Sequence, residues 1–217
     1  MFSLLRRNRD LRFVFGAQVV SFMGDWFTFV ALAGLVEDRT QSAFLVSLVL
    51  VSMTLPGLLA SPAAGSFADR IDRRRILISI SLMQSVSAVG LLLYGVLGIW
   101  VTFLSQSLIA ALAAFVGPAT SAAIPNLTDN EDDLRRASAL FGSTWGIMLA
   151  IGAALGGVFA SIFGRNAAFI ADAVSFAVAA LLFASVRRPM QSHDVTRGSQ
   201  KARPIADMKE ALHLARQ

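Results

Sequence analysis

Apolar residues along this 217-residue chain come in six runs too long and too free of charge to be the core of a soluble domain. The runs fall at about 13–36, 43–68, 76–95, 99–124, 140–163 and 167–186. Each is near or a little above the roughly 20 residues a tilted helix needs to cross a bilayer. From Ile76 to Thr128, 53 consecutive positions carry no Asp, Glu, Lys or Arg, so this stretch alone must cross at least twice. Inside hydrocarbon the backbone must satisfy its own hydrogen bonds, and these runs lack the alternation of a barrel strand. The pattern predicts an all-α membrane protein of six transmembrane helices (13–186), with a short polar N-terminus (1–12) and a polar tail (187–217).

Charge then sets the orientation. With the N-terminus, the second and fourth interhelical loops and the tail on the cytoplasmic side, 17 of the 19 basic residues lie there. Only Arg39 and Arg165 fall on the opposite side. Both termini are therefore expected in the cytoplasm, with the protein crossing the cell (inner) membrane and membrane lipid as its solvent. The four arginines before residue 13 precede a span too long for a cleaved signal, so the first helix is expected to be retained. The net charge of +5 invites a nucleic-acid reading, but the basic residues sit in short clusters cut apart by spans, not along one groove.

Catalytic and cofactor chemistry finds little to work with. There is no cysteine, hence no disulfide, thiolate or cysteine metal site. The two histidines, His193 and His213, lie in the polar tail without ligand-like spacing, and no phosphate-binding glycine loop is present. No cofactor or metal is expected, and no enzyme active site.

The two halves of the membrane region resemble each other. An offset of 92 lays Ala64-Gly-Ser-Phe-Ala68 over Gly156-Gly-Val-Phe-Ala160, and span 3 over span 6. Because spans 2 and 5 run in opposite directions, this predicts a 3+3 inverted repeat.

The string Gly65-Ser-Phe-Ala-Asp-Arg-Ile-Asp-Arg-Arg-Arg75 resembles the signature loop between helices 2 and 3 of major facilitator superfamily transporters, roughly G-x-x-A-D-R-x-G-R-R-R. Asp72 stands where that pattern has its second glycine. Gln18 with Ser21-Phe-Met-Gly-Asp-Trp26, Gly117-Pro118, Ile124-Pro125-Asn126-Leu127 and Phe169-Ile-Ala-Asp-Ala-Val-Ser-Phe176 resemble macrolide-efflux-like and enterobactin-exporter-like members, and the likeness extends over residues 5–190. Two positions depart from related exporters: Ala153 replaces a proline after glycine in helix 5, and Thr120 stands where a basic residue often follows Gly-Pro-Ala.

The resemblance implies half of a twelve-helix fold. It implies secondary-active efflux of an amphipathic small-molecule substrate (drug, macrolide or siderophore-like), coupled to protons as in multidrug antiporters. It also implies a partner, either a C-terminal six-helix half or a second copy. The tail, with Ile205, Met208, Leu212 and Ala215 near one helical face, resembles the amphipathic linker between halves. The chain would then stop where a second half begins. The alternative is a truncated or regulatory six-helix module with no transport of its own.

Asp25 and Asp172 are the only charged residues expected well inside the hydrocarbon. A carboxylate there costs at least ~2.5–3.5 kcal/mol, so each needs a reason to exist. One reading is a proton- or cation-coupling group, with Asp25 preferred because helix 1 lines the cavity in the superfamily. The other is a structural hydrogen-bonded link between helices. Gln18 and Gln106 are expected to meet substrate or to join helices. Trp26, with Phe22 and Phe29, offers stacking surface for an apolar ligand or an anchor for the helix. By resemblance, Gly65, Asp69, Arg70, Arg73 and Arg74 form a gating loop that stabilises the outward-facing state; the arginines also read as topology anchors on anionic lipid, and both roles can hold together. Gly152, Gly156 and Gly157 give a small-residue face for close helix contact, either toward a second half, the preferred reading, or within this one.

Overall fold

The computed structural model describes residues 2–68 and 71–191. Asp69, Arg70 and the amphipathic stretch 205–216 lie outside the described residues. The described chain is helical almost throughout, as α1 (Phe2–Arg7), α2 (Arg9–Thr40), α3 (Ala43–Ala68), α4 (Arg73–Gly90), α5 (Tyr94–Leu97), α6 (Trp100–Leu127), α7 (Glu131–Phe163) and α8 (Arg165–Ala184). A 3₁₀ turn, Leu91–Leu93, joins α4 to α5, and the two helices together make the third span. Among the described residues, six helices or helix pairs are long and apolar enough to cross a membrane, as expected.

Helix starts follow from capping residues. Asn8, Asp72 and Asn130 each accept the backbone N–H of the third residue beyond, capping α2, α4 and α7. Asp72 Oδ1 takes the Arg75 N–H at 2.9 Å, so the residue replacing the pattern's glycine starts a helix where no positive φ is needed. Two helices begin before their apolar runs. α2 starts at Arg9 and α7 at Glu131, where Glu131, Asp132 and Asp133 fill the first turn and complement the helix dipole. Gly164, at φ +84°, makes the tight turn from α7 into α8, a conformation that favours glycine.

Packing repeats the sequence symmetry. α3 lies along α6 while α7 lies along α2, α2 lies along α8 while α6 lies along α4, and α4 meets α8. Exchanging the first three spans for the last three swaps the members of the first two sets and maps α4–α8 onto itself, the arrangement an inverted repeat produces. Two apolar clusters result. One, at the arginine-rich end, holds Leu11, Val14, Leu77, Leu127 and Phe183; the other, at the far end, holds Leu32, Val36, Leu91, Phe169 and Phe176. On α2 the clusters are separated by the stretch that carries Gln18, Ser21 and Asp25.

The arginine-rich end is closed by contacts to helix ends. Asp133 pairs with Arg7, and Asn8 Nδ2 donates to the Leu127 carbonyl at 2.6 Å. Buried Asp10 accepts the backbone N–H groups of both Arg187 and Arg188 at 3.1 Å. Val186 and Met190 are buried, so the chain past the sixth span packs onto the bundle through Met190. The expected linker boundary at residue 187 therefore falls inside a packed segment.

Candidate functional site

A cavity of about 300 Å³ opens among α2, α4, α6 and α7. Its wall is drawn at helical spacing: Gln18, Ser21, Phe22 and Asp25 from α2; Val116, Gly117, Thr120, Ser121 and Ile124 from α6; Ser138, Phe141 and Gly142 from α7. Steps of three and four residues keep each set on one face of its helix. Gln84 enters from α4. Among the described residues, the polar groups on the wall are one carboxylate, two amides and four hydroxyls, with no basic side chain.

These groups differ in commitment. Gln18 Nε2 donates to the Phe141 carbonyl at 3.2 Å, and Gln84 Nε2 to that of Ile109 at 3.3 Å, leaving both amide oxygens as acceptors. The half-buried Asp25 carboxylate takes no hydrogen bond from any described residue. Asp172 is the opposite case. It is fully buried, takes the Thr28 hydroxyl at 2.8 Å and lies 3.5 Å from the Ser175 hydroxyl. Gly24 makes this seam: a Cβ there would overlap the Ser175 hydroxyl and come within 2.5 Å of Asp172 Oδ1. Asp172 therefore packs against the residue that precedes Asp25.

Of the residues singled out in the sequence, Gln18, Phe22 and Asp25 lie on the cavity wall. Asp172 sits in the α2–α8 seam, away from the wall. Gln106 is 2% exposed, and its Oε1 finds no hydrogen-bond partner among the described residues. Trp26 corrects the stacking expectation, because it is 6% exposed and turned into α7. A Cβ on Gly152 would lie 3.0 Å from the Trp26 Cβ, and rings of Phe29 and Trp145 stand 5.6 and 6.1 Å away. The glycine face turns inward at two of its positions. A Cβ on Gly156 would meet the Phe27 Cα at 3.1 Å and the Trp26 carbonyl oxygen at 3.2 Å, so Gly152 and Gly156 let α7 close on α2 inside this bundle.

In the loop, no atom among the described residues lies within 4 Å of a Cβ built on Gly65. Arg73 Nη1 donates to the carbonyls of Ala122 (2.9 Å) and Met190 (3.1 Å), and Arg74 donates to the carbonyl of Ala184. Both arginines thus bind carbonyls near the C-terminal ends of helices, where cations are favoured. The sequence reading missed Gln84, Ser21, Thr120, Ser121 and Ser138 as wall residues. Gln84 carried the same signal as Gln106, a lone amide in a charge-free span. Asp10 and Asp133 were missed because acidic residues at a membrane edge carry little topology signal.

Comparison with known proteins agrees with this architecture. The chain is 26% identical to macrolide efflux protein A of Streptococcus pyogenes over 217 residues, covering 97% of this chain and 52% of that protein. It is 27% identical to the staphyloferrin A transporter of Staphylococcus aureus over 175 residues (79% and 44%) and 28% identical to the multidrug efflux pump Tap of Mycobacterium tuberculosis over 178 residues (79% and 42%). The chain spans about half the length of the curated relatives it matches. With six apolar helices paired as an inverted repeat, and a family profile that matches residues 14–216, the chain belongs to the Major Facilitator Superfamily of membrane transporters.

Proposed function

We propose that this chain forms the N-terminal six-helix half of a secondary-active exporter, and that its cavity is one wall of the substrate path. The observation that carries the reading is Asp25, a half-buried carboxylate on the cavity wall that no described side chain or backbone group occupies. The cost of holding such a group in the membrane is justified if it takes up and releases a proton during transport. Its neighbour Asp172 is committed to Thr28 and Ser175, which supports a structural role for Asp172 and coupling at Asp25. The wall offers acceptors and hydroxyls with no cation, so it suits an amphipathic substrate that is neutral or positively charged.

A second six-helix half is supported by what the bundle leaves bare. The most apolar stretches of α3 and α7 are only 11% and 17% buried, against 39–50% for the other four spans. The matched relatives have about twice this length. Rocking of the two halves about the cavity would give alternating access. The test is export driven by an imposed pH gradient, measured for the intact transporter with Asp25→Asn. Loss of gradient-driven export with substrate binding retained is expected. Undiminished export by Asp25→Asn overturns the coupling assignment.

A further inference from the structure

Both basic residues that the charge pattern puts on the far side of the bundle meet at one place. Arg39, in the last turn of α2, and Arg165, in the first turn of α8, line a pocket of about 530 Å³ with Tyr94 and Asn166. An arginine on that side opposes the orientation that the other 17 basic residues favour, so each calls for a local reason.

Arg165 has one within the protein. Its Nη2 bonds Asp38 Oδ2 at 2.6 Å, and a Cβ on Gly34 would come 3.3 Å from the guanidinium. Arg39 has none of this kind. Its guanidinium stands 5.4 Å from the centre of the Tyr94 ring and makes no ion pair or hydrogen bond with any described residue. Glu37 and Asp38 lie outside the pocket wall. The Tyr94 hydroxyl donates to Asn166 Oδ1 at 3.0 Å, which leaves the Asn166 amide N–H₂ uncommitted. Gly164 gives α8 no side-chain cap, so backbone N–H groups of its first turn are uncommitted too. Leu35 and Phe163 supply an apolar side, and Phe163 is 65% exposed.

We infer that this pocket binds a phosphate group, through the Arg39 guanidinium, the Asn166 amide and the start of α8. A forked guanidinium, an amide and helix N–H groups offer several donors to one tetrahedral anion, and the cation–π contact holds Arg39 over the pocket without spending its donors. The phosphate comes from an anionic phospholipid headgroup, whose chains would lie against the exposed Phe163, or from the free ion.

The test uses the full chain in detergent micelles, with native mass spectrometry reading retained phosphatidylglycerol. Diacylglycerol, which lacks phosphate, is the lipid control, and inorganic phosphate is the competitor. Arg39→Gln should weaken phosphatidylglycerol retention roughly fivefold, the loss of one arginine's worth of attraction. Arg12→Gln, which removes an exposed arginine from the opposite end, should leave it unchanged. Displacement of the lipid by millimolar inorganic phosphate would support the site and assign it to the free ion; retention through that challenge would assign it to the headgroup. Equal retention by wild type and Arg39→Gln, with unchanged thermal unfolding, overturns the inference. So does an equal loss in Arg12→Gln, which would mark diffuse surface attraction.

Discussion

Replacing Thr28 by valine removes one hydroxyl, keeps the side-chain shape and leaves a buried carboxylate with too little to bind. Asp172 is 0% exposed, and its one short side-chain bond is the 2.8 Å donation from Thr28. Ser175 stands 3.5 Å away and gives its better bond, 2.8 Å, to the Asp172 carbonyl. An unsatisfied buried acceptor costs about 1–3 kcal/mol, whereas hydrogen bonds between membrane helices measure about 0.6 kcal/mol on average and 1.7 at most. The Asp172 site lies toward the upper end, because no second strong donor replaces the first. We expect Thr28→Val to lower unfolding free energy by about 1–2 kcal/mol, measured by reversible unfolding in mixed micelles. Asp172→Leu combined with Thr28→Val removes both partners and should recover much of the loss, giving a coupling of about 1 kcal/mol in the double-mutant cycle. Transport per folded molecule should be retained in Thr28→Val. A change within about 0.3 kcal/mol, or strict additivity with Asp172→Leu, would refute the view that Thr28 and Asp172 bind the α2–α8 seam.

Two further substitutions test the packing at other places. Gly156→Ala should destabilise by about 1–3 kcal/mol, since its Cβ would press on backbone atoms at 3.1–3.2 Å, while Gly157→Ala, whose Cβ would meet only Val30 at 3.9 Å, should be neutral or slightly stabilising. Thermal unfolding of the pair checks this, and equal effects would contradict the placement of the glycine face. Asp10→Ala removes the acceptor shared by Arg187 and Arg188 and should speed amide exchange at those two residues while leaving the middle of α8 protected, read by hydrogen–deuterium exchange.

How much of this was legible in the chain depends on what sets each feature. The six spans were legible because bilayer thickness fixes a run length, and the pairing symmetry was legible because the repeat is written in the sequence. The start of α7 was not, because residues 131–136 are charged except for Leu134, and only the Asn130 cap and the acidic first turn announce a helix there. Asp72 reads as a departure from a pattern until its cap on α4 is seen. Gln84 and Gln106 are equivalent as sequence, lone amides in charge-free spans, and equally buried, yet Gln84 reaches the cavity wall while Gln106 stays off it with an unpaired oxygen among the described residues. What separates them is the rotation of each helix about its own axis, which packing decides.

Three consecutive residues of α2 show why that rotation carries the function. An α-helix turns about 100° per residue, so neighbours in sequence face different directions. Gly24 faces α8, where its missing side chain admits Asp172 and Ser175. Asp25 faces the cavity, and Trp26 faces α7, where Gly152 makes room for its ring. A central helix can hold such a run only if both flanking seams close tightly, and the glycines close them, one on α2 and two on α7. The seams fix the angle at which Asp25 meets the cavity. A substitution at Gly24 or Gly152 would therefore act on the half-buried carboxylate without touching it, by turning α2 between its neighbours. Sequence alone names Asp25 as exceptional; the small residues around it decide where it points.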